Sequence, residues 1–388
     1  MSVVTSTARR RWAAVAAGVA LLVSVPTVTT AIAGRVAGGD DVATSPRGWV
    51  TRALASARVP HTGLAESRGG LGLPDVPELE TVASQLGGTT RTRVWWAGPS
   101  ASRVDVLTPT GEQGIYVVGV GGGEGNRSEG RTVLWDYEAA RLTEVLGDPP
   151  LRLPRPDDLV PPQAARRLLG GVGPADEVTA LPEQRVAGVR AAGIRVVPGD
   201  RRSTIGRLDV WLDRGSGLPV RVDVVDDAGA TSLSSRFTDL DLGAPDAAAV
   251  RPPTAPGATH DTTTAPDLVS QIQRFRTVRL PDSLAGLPAG DFVTGGIVTY
   301  GTGLTRFAVQ PLTGRLTESA LDAVRPGSRD LGLPGGEARA LTSGAVSLVI
   351  MRGYGSRRGY IVTGLVTPEV LTEAARTLLG SPPPGPRG

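Results

Sequence analysis

The chain has 388 residues, of which 40% are hydrophobic, 20% charged and only 4% aromatic, so it is globular, exceeds one ordinary core and packs mainly through Val, Leu and Ala. Cysteine is absent and histidine occurs twice, which excludes disulfide scaffolds, thiol catalysis, Cys-ligated zinc and multi-histidine metal centres. The formal net charge is +3 and all 41 basic residues are arginine, which excludes a phosphate-loop lysine, a Schiff-base lysine and a Ser–Lys dyad.

The chain begins as an export signal. Arg9, Arg10 and Arg11 precede an apolar run from Trp12 to Val25, and Ala31-Ile32-Ala33 ends it. This is the pattern of a secretory leader over residues 1–33, cleaved after Ala33. The same stretch is just long enough for a membrane anchor, although Pro26 and several polar residues interrupt it. Either way the remainder is expected to be extracytoplasmic. Those three leader arginines account for the net charge; the rest of the chain is neutral, so charge does not point to nucleic acid.

A first body is expected over residues 45–243. After Pro46, the spacing of Trp49, Val50, Ala53, Leu54 and Ala57 predicts a short helix. The period then becomes two. Arg103, Asp105 and Leu107 alternate with Val104 and Val106. Ala164, Ala165, Leu168 and Leu169 predict a second helix near Pro161–Leu169. Arg207, Asp209, Trp211 and Asp213 alternate with Leu208, Val210 and Leu212; after Arg214-Gly215-Ser216-Gly217 the alternation resumes in Val220, Val222 and Val224. Two alternating runs around a Gly-rich turn predict a β-hairpin. Clean alternation gives one wet and one apolar face, the habit of an antiparallel sheet. Asp209, Asp213 and Asp223 fall on the polar phase and are expected to be solvated. Two short helices hide little of such a sheet. That leaves a sandwich, or a curved half-barrel whose mouth takes an apolar ligand.

Residues 244–267 read as an extended linker rich in Pro, Thr and Ala. A second body follows over 268–380, and a Pro/Gly-rich tail over 381–388. The first body with its linker is net acidic and the second net basic. Opposite charge suits either docking of the two or separate partners.

Catalytic motifs are sparse. Tyr116-Val117-Val118-Gly119-Val120-Gly121-Gly122-Gly123-Glu124 has a glycine-rich look, yet Glu124 stands where a dinucleotide loop needs glycine and no helix follows. Asn126-Arg127-Ser128 fits a glycosylation acceptor and reads as a polar loop. His61 and His260 are expected at the surface, with no nucleophile elbow to serve. Carboxylates are numerous, so a hydrolase using two converging acids is the enzymatic alternative. No cofactor, metal or nucleic acid is expected. On the apolar phases, Val94 and Trp96, Val104 and Val106, and Val133, Trp135 and Tyr137 are expected to face inward, either as core or as the lining of a ligand cavity, and Leu208, Val210, Leu212 and Val222 are candidates for the same lining. Trp211 sits on a polar phase and is the candidate partner anchor. A second candidate partner surface is the basic turn with Arg352, Tyr354, Arg357 and Arg358.

Arg93-Val94-Trp95-Trp96 and the strand Gly130-Arg131-Thr132-Val133-Leu134-Trp135-Asp136-Tyr137 resemble the LolA-like fold. Gly295–Val309 and Gly359–Leu371 resemble two segments of the RseB/MucB family of sigma-E factor regulatory proteins, in the family's order. Where that family carries an aspartate in its turn, Gly301-Thr302-Gly303-Leu304 stands here. The resemblance implies a β-rich α+β chain: an antiparallel unclosed β-barrel with covering helices, then a smaller α+β domain. It also implies a periplasmic, non-enzymatic regulator. Such a protein binds a lipid or acylated ligand in the half-barrel and the outer part of a membrane-bound anti-sigma factor. The alternative within the same fold is a lipid or lipoprotein carrier without regulatory role.

Overall fold

A computed structural model describes residues 45–69, 88–108, 111–119, 131–147, 155–264, 279–294, 296–356 and 358–380. The leader, the tail, most of the glycine loop with Asn126, and Arg357 lie outside the described residues. Among the described residues no helix is long and apolar enough to cross a membrane.

Helix α1 (Pro46–Ala55) starts at Ser45, whose hydroxyl accepts from the Gly48 amide at 3.0 Å, with Pro46 preset for the first turn. Six strands follow: β1 (His61–Gly69), β2 (Thr89–Gly98), β3 (Ala101–Thr108), β4 (Gly111–Val118), β5 (Arg131–Asp136) and β6 (Arg141–Leu146). Helix α2 (Pro161–Leu169) is the predicted second helix. Then come β7 (Glu177–Val186), β8 (Val189–Val197), β9 (Ile205–Asp213), β10 (Pro219–Asp226) and β11 (Thr231–Asp241). The expected hairpin is β9–β10, with Val210 opposite Val222 and Leu208 opposite Val224.

With β12 (Thr259–Thr264), the strands form one sheet in the order β12-β6-β5-β4-β3-β2-β1-β11-β10-β9-β8-β7. Its ends do not pair with each other, so the barrel is unclosed. The outermost strand corrects the reading of 244–267 as a plain linker. Thr259–Thr264 forms β12, parallel to β6, with Thr259 opposite Arg141. A run of β-branched threonines suits an edge strand, whatever its Pro-rich approach suggests. The far edge, β7, carries Pro182, Glu183 and Arg185, residues that blunt strand addition.

The second body is an eight-stranded sheet, β13 (Ser283–Leu284), β14 (Leu287–Thr294), β15 (Ile297–Thr302), β16 (Thr305–Thr313), β17 (Arg329–Asp330), β18 (Gly336–Ser343), β19 (Val346–Gly353) and β20 (Arg358–Gly364), ordered β13-β14-β15-β16-β20-β19-β18-β17. Helix α3 (Gly314–Val324) packs Leu321 and Val324 with Ile350 and Ile361. Helix α4 (Pro368–Gly380) packs Leu371 and Ala375 with Val349 and Val362. Successive strand residues point to opposite faces, so one helix covers each face of this smaller α+β unit.

The two sheets are docked without ion pairs among the described residues. Leu304, Ala345 and Leu365 enter the same apolar cluster as Leu169, Leu208 and Val210. Around them the Ser203 hydroxyl donates to the Leu304 carbonyl at 3.0 Å, and the Thr204 hydroxyl to that of Ala345 at 2.5 Å. The Thr204 amide donates to the Leu365 carbonyl at 3.2 Å, and that of Thr367 to Arg202 at 2.9 Å. The Arg202 guanidinium also crosses the junction, donating to the Gly286 carbonyl at 3.2 Å and drawn by the charge of Glu373. Apolar burial and hydrogen bonds thus hold the bodies together, with one charged side chain among them and no ion pair among the described residues.

Candidate functional site

Opposed residues of paired strands share a face of the sheet, so register assigns the predicted lining. Val94 of β2 lies opposite Val104 of β3, Val104 opposite Ile115, and Ile115 opposite Leu134 of β5. The face that carries Val94 therefore carries Leu134, not Val133 or Trp135. This corrects the expected lining. Val133 and Trp135 are buried on the other face with Tyr116, against Leu142, Ala255 and Ala258. Tyr137 lies past the end of β5, is 38% exposed, and its hydroxyl accepts from Arg103 at 2.7 Å.

Leu208, Val210, Leu212 and Val222 do face the helices, but as core. They pack against Trp49, Val50 and Ala53 of α1 and Ala164, Ala165 and Leu169 of α2. Val94 and Val104 pack with Val160 and Phe237. Val106, buried beside them, lies opposite Thr92. Among the described residues, much of the apolar hollow is thus filled by the protein's own side chains.

One stretch of that face is polar. Its centre is His61, which the sequence places at the surface and the structure buries completely. The imidazole stacks on Trp96 with centroids 6.1 Å apart and meets Phe237 edge-on at 5.7 Å. Its Nδ1 lies 2.9 Å from the Val59 carbonyl. Burial lowers its pKa from 6.5 to about 4, the Val59 contact raises it and the Arg166 charge adds to the depression. Trp96, half-buried, donates its indole N–H to Ala57 at 2.9 Å. Arg166 of α2 places its guanidinium 5.8 Å from the Trp96 ring. Desolvation, then repulsion from Arg167, lowers its pKa to about 10. A histidine after a proline and an arginine on a helix carry no mark of burial in sequence; Trp96, Phe237 and the Arg166 side chain, reaching from a helix that lies against β10 and β11, create it.

The MucB/RseB N-terminal domain family matches residues 165–259, from within α2 to the first residue of β12. That segment is MucB/RseB-like. Among solved structures, the chain is similar to MucB in complex with MucA(peri), at 17% identity and a TM-score of 0.44, over 85% of this chain and 97% of that one. It is similar to the Pseudomonas aeruginosa MucA/MucB complex at 18% identity and a TM-score of 0.43, over 85% and 96%. A LolA superfamily protein from Nitrosomonas europaea aligns at 11% identity and a TM-score of 0.21, over 54% and 98%. No curated protein sequence matches the chain.

The MucB/RseB-like segment includes Arg166 and the docking residues Ser203 and Thr204. It also includes Trp211, where the structure corrects the exposed reading. Trp211 is 6% exposed. It lies opposite Gly193, whose missing side chain leaves room for the indole, and its N–H donates to Pro182 at 3.3 Å. Arg221 covers its ring at 4.7 Å. The aspartates expected in solvent are buried as well, because each has a partner. Asp209 accepts from Arg195 Nε and Nη2, both at 2.7 Å. Asp223 accepts from Ser234 at 2.6 Å and pairs with Arg221 at 2.7 Å. Asp213 accepts from the Ser216 amide at 2.7 Å, closing the hairpin turn. Abundant arginine lets the polar phase of these strands be covered by neighbouring side chains.

Ahead of the MucB/RseB-like segment two carboxylates converge, Asp105 and Glu112, both on Arg103. Asp105 is fully buried and doubly bonded to that guanidinium, which also packs 4.3 Å from the Trp95 ring. Glu112 lies 3.8 Å from the same group. Burial raises the Asp105 pKa to about 6; the Arg103 hydrogen bonds oppose that and Glu112 adds to it. Both Asp105 oxygens are taken up by the Arg103 guanidinium and the side chain has no exposed surface, so the pair reads as a structural network. In the basic turn, Arg352 pairs with Glu318 at 3.4 Å and Glu337 at 3.8 Å, and Arg358 opens β20. Tyr354 stands out at 77% exposure. His260 is exposed on β12, as expected.

Proposed function

We propose that this chain is an extracytoplasmic, non-enzymatic binding protein of the MucB/RseB type, holding the outer segment of a membrane-embedded partner of the anti-sigma-factor kind. The observation that carries this reading is the family match over residues 165–259, which takes in the second half of α2, the long hairpin and most of the first sheet's side of the junction. The leader pattern at residues 9–33 agrees with export. The partner surface is placed at the exposed Tyr354, because the other candidate anchor, Trp211, is enclosed. Aromatic side chains standing free of the core are the usual anchors of such contacts.

The test is in-cell crosslinking from position 354 of the full chain. The expected product is an integral membrane protein whose cytoplasmic part holds a sigma factor. Crosslinks restricted to soluble proteins would sink the reading. Tyr354→Ala is expected to change stability by no more than about 0.5 kcal/mol, read as an unchanged urea midpoint, while crosslinking in a neighbouring position falls severalfold.

A lipid or lipoprotein carrier is the second reading. What favours it is the set of buried polar groups on the concave face, beside His61 and Trp96. It predicts transfer of fluorescent lipid between vesicles by the protein, with no membrane-protein partner.

A further inference from the structure

The polar stretch of the concave face has hydrogen-bonding capacity that the protein itself does not use. His61 Nδ1 faces a carbonyl, so it carries the ring proton and leaves Nε2 a bare acceptor. That Nε2 is buried and has no partner among the described residues. Arg166 is half-buried, and its Nη1 is buried without an acceptor. No carboxylate among the described residues pairs with it; its neighbour Arg167 takes Asp158 at 2.8 Å. Gln163 lies one turn earlier on the same side of α2, and both of its amide atoms are buried and unbonded. Trp96 flanks both His61 and Arg166. A guanidinium with one nitrogen buried and no acceptor or carboxylate beside it calls for an anion.

We propose that Arg166, His61 and Gln163 form an internal binding site for a protonated oxyanion of the phosphate-monoester class, with Trp96 as its apolar wall. The oxyanion's oxygens accept from Arg166 Nη1 and the Gln163 amide. Its P–O–H donates to His61 Nε2. Sulfate and carboxylate carry no proton at neutral pH and leave that acceptor unmet. The phosphate belongs either to a soluble molecule or to a lipid headgroup. The site requires no protein partner, so its failure leaves the anti-sigma reading standing, and the reverse holds too.

The purified full-length protein is titrated at neutral pH with inorganic phosphate, with sulfate, and with phosphatidylcholine vesicles with or without phosphatidic acid. Phosphate is expected to bind about tenfold tighter than sulfate, and Arg166→Gln to weaken it by about tenfold or more, the scale of one charge-assisted hydrogen bond. His61→Phe is expected to bring phosphate down to the level of sulfate. Without ligand, Arg166→Gln is expected to melt no lower than the parent, because it removes an unpaired buried charge. Should that variant fail to fold, Gln163→Leu reads the same site through a severalfold loss. Arg166-dependent binding of inorganic phosphate supports the site and marks a soluble source. Arg166-dependent binding confined to phosphatidic acid vesicles supports it and marks a headgroup. No binding in any arm, equal affinity for phosphate and sulfate, or indifference to both helix variants overturns it.

Discussion

Gly303→Val is expected to part the two sheets. Gly303 has φ +62°, and a Cβ built there sits 2.6 Å from the Gly171 carbonyl oxygen across the junction. The turn that carries it also delivers Leu304 into the cluster with Leu169 and Leu208. Left-handed backbone costs a β-branched residue about 1–2 kcal/mol, and forcing atoms into a packed contact adds about 1–3 kcal/mol. The total, about 2–5 kcal/mol, falls on the junction. The expected urea profile splits from one transition into two, and scattering shows a more extended particle. Gly355→Val is the control: its φ is +68° but nothing lies within 4 Å of the added Cβ, so only the backbone cost should appear. Equal effects of the two substitutions would show that the close contact between Gly303 and Gly171 does not govern docking.

Stability is expected to fall by about 3 kcal/mol between pH 7 and pH 4 through His61 alone. The unfolded chain takes up this proton near pH 6.5, whereas the folded chain resists it until about pH 4. Proton uptake therefore favours unfolding across that window. The His61 contribution is complete above pH 6.5 and lost as pH falls through the folded value. The cause is burial against Trp96 and Phe237, reinforced by Arg166. His61→Phe keeps an aromatic ring in place and cannot titrate. Chemical denaturation across this range should show the parent's slope flattened in the variant by that amount. An unaltered slope would mean that the imidazole is reached by water and titrates normally.

Docking by apolar contact bears on how such a protein transmits binding. A junction of Leu304, Ala345, Leu365 and a few backbone hydrogen bonds moves as a unit or not at all, since packed interfaces do not deform gradually.

Amino-acid pattern by itself determined much of the architecture. The helices after Pro46 and at Pro161–Leu169, the hairpin around Gly215 and the β-rich class all follow from spacing and turn chemistry. Alternation also fixed which residues of one strand share a side. It did not relate one strand's side to the next, because that depends on register and bulges, and so Val133 and Trp135 went to the face opposite Val94. Nor did polarity fix exposure. Asp209 and Asp223 are covered because arginines from adjacent strands lie across them, and Trp211 because Gly193 leaves space beneath it. His61 became the centre of the candidate site for the same reason: Trp96 of β2, Phe237 of β11 and Arg166 of α2 meet there. Local sequence sets backbone shape and side-chain parity; what lies over a residue is set by segments far away along the chain, and only the tertiary structure brings them together.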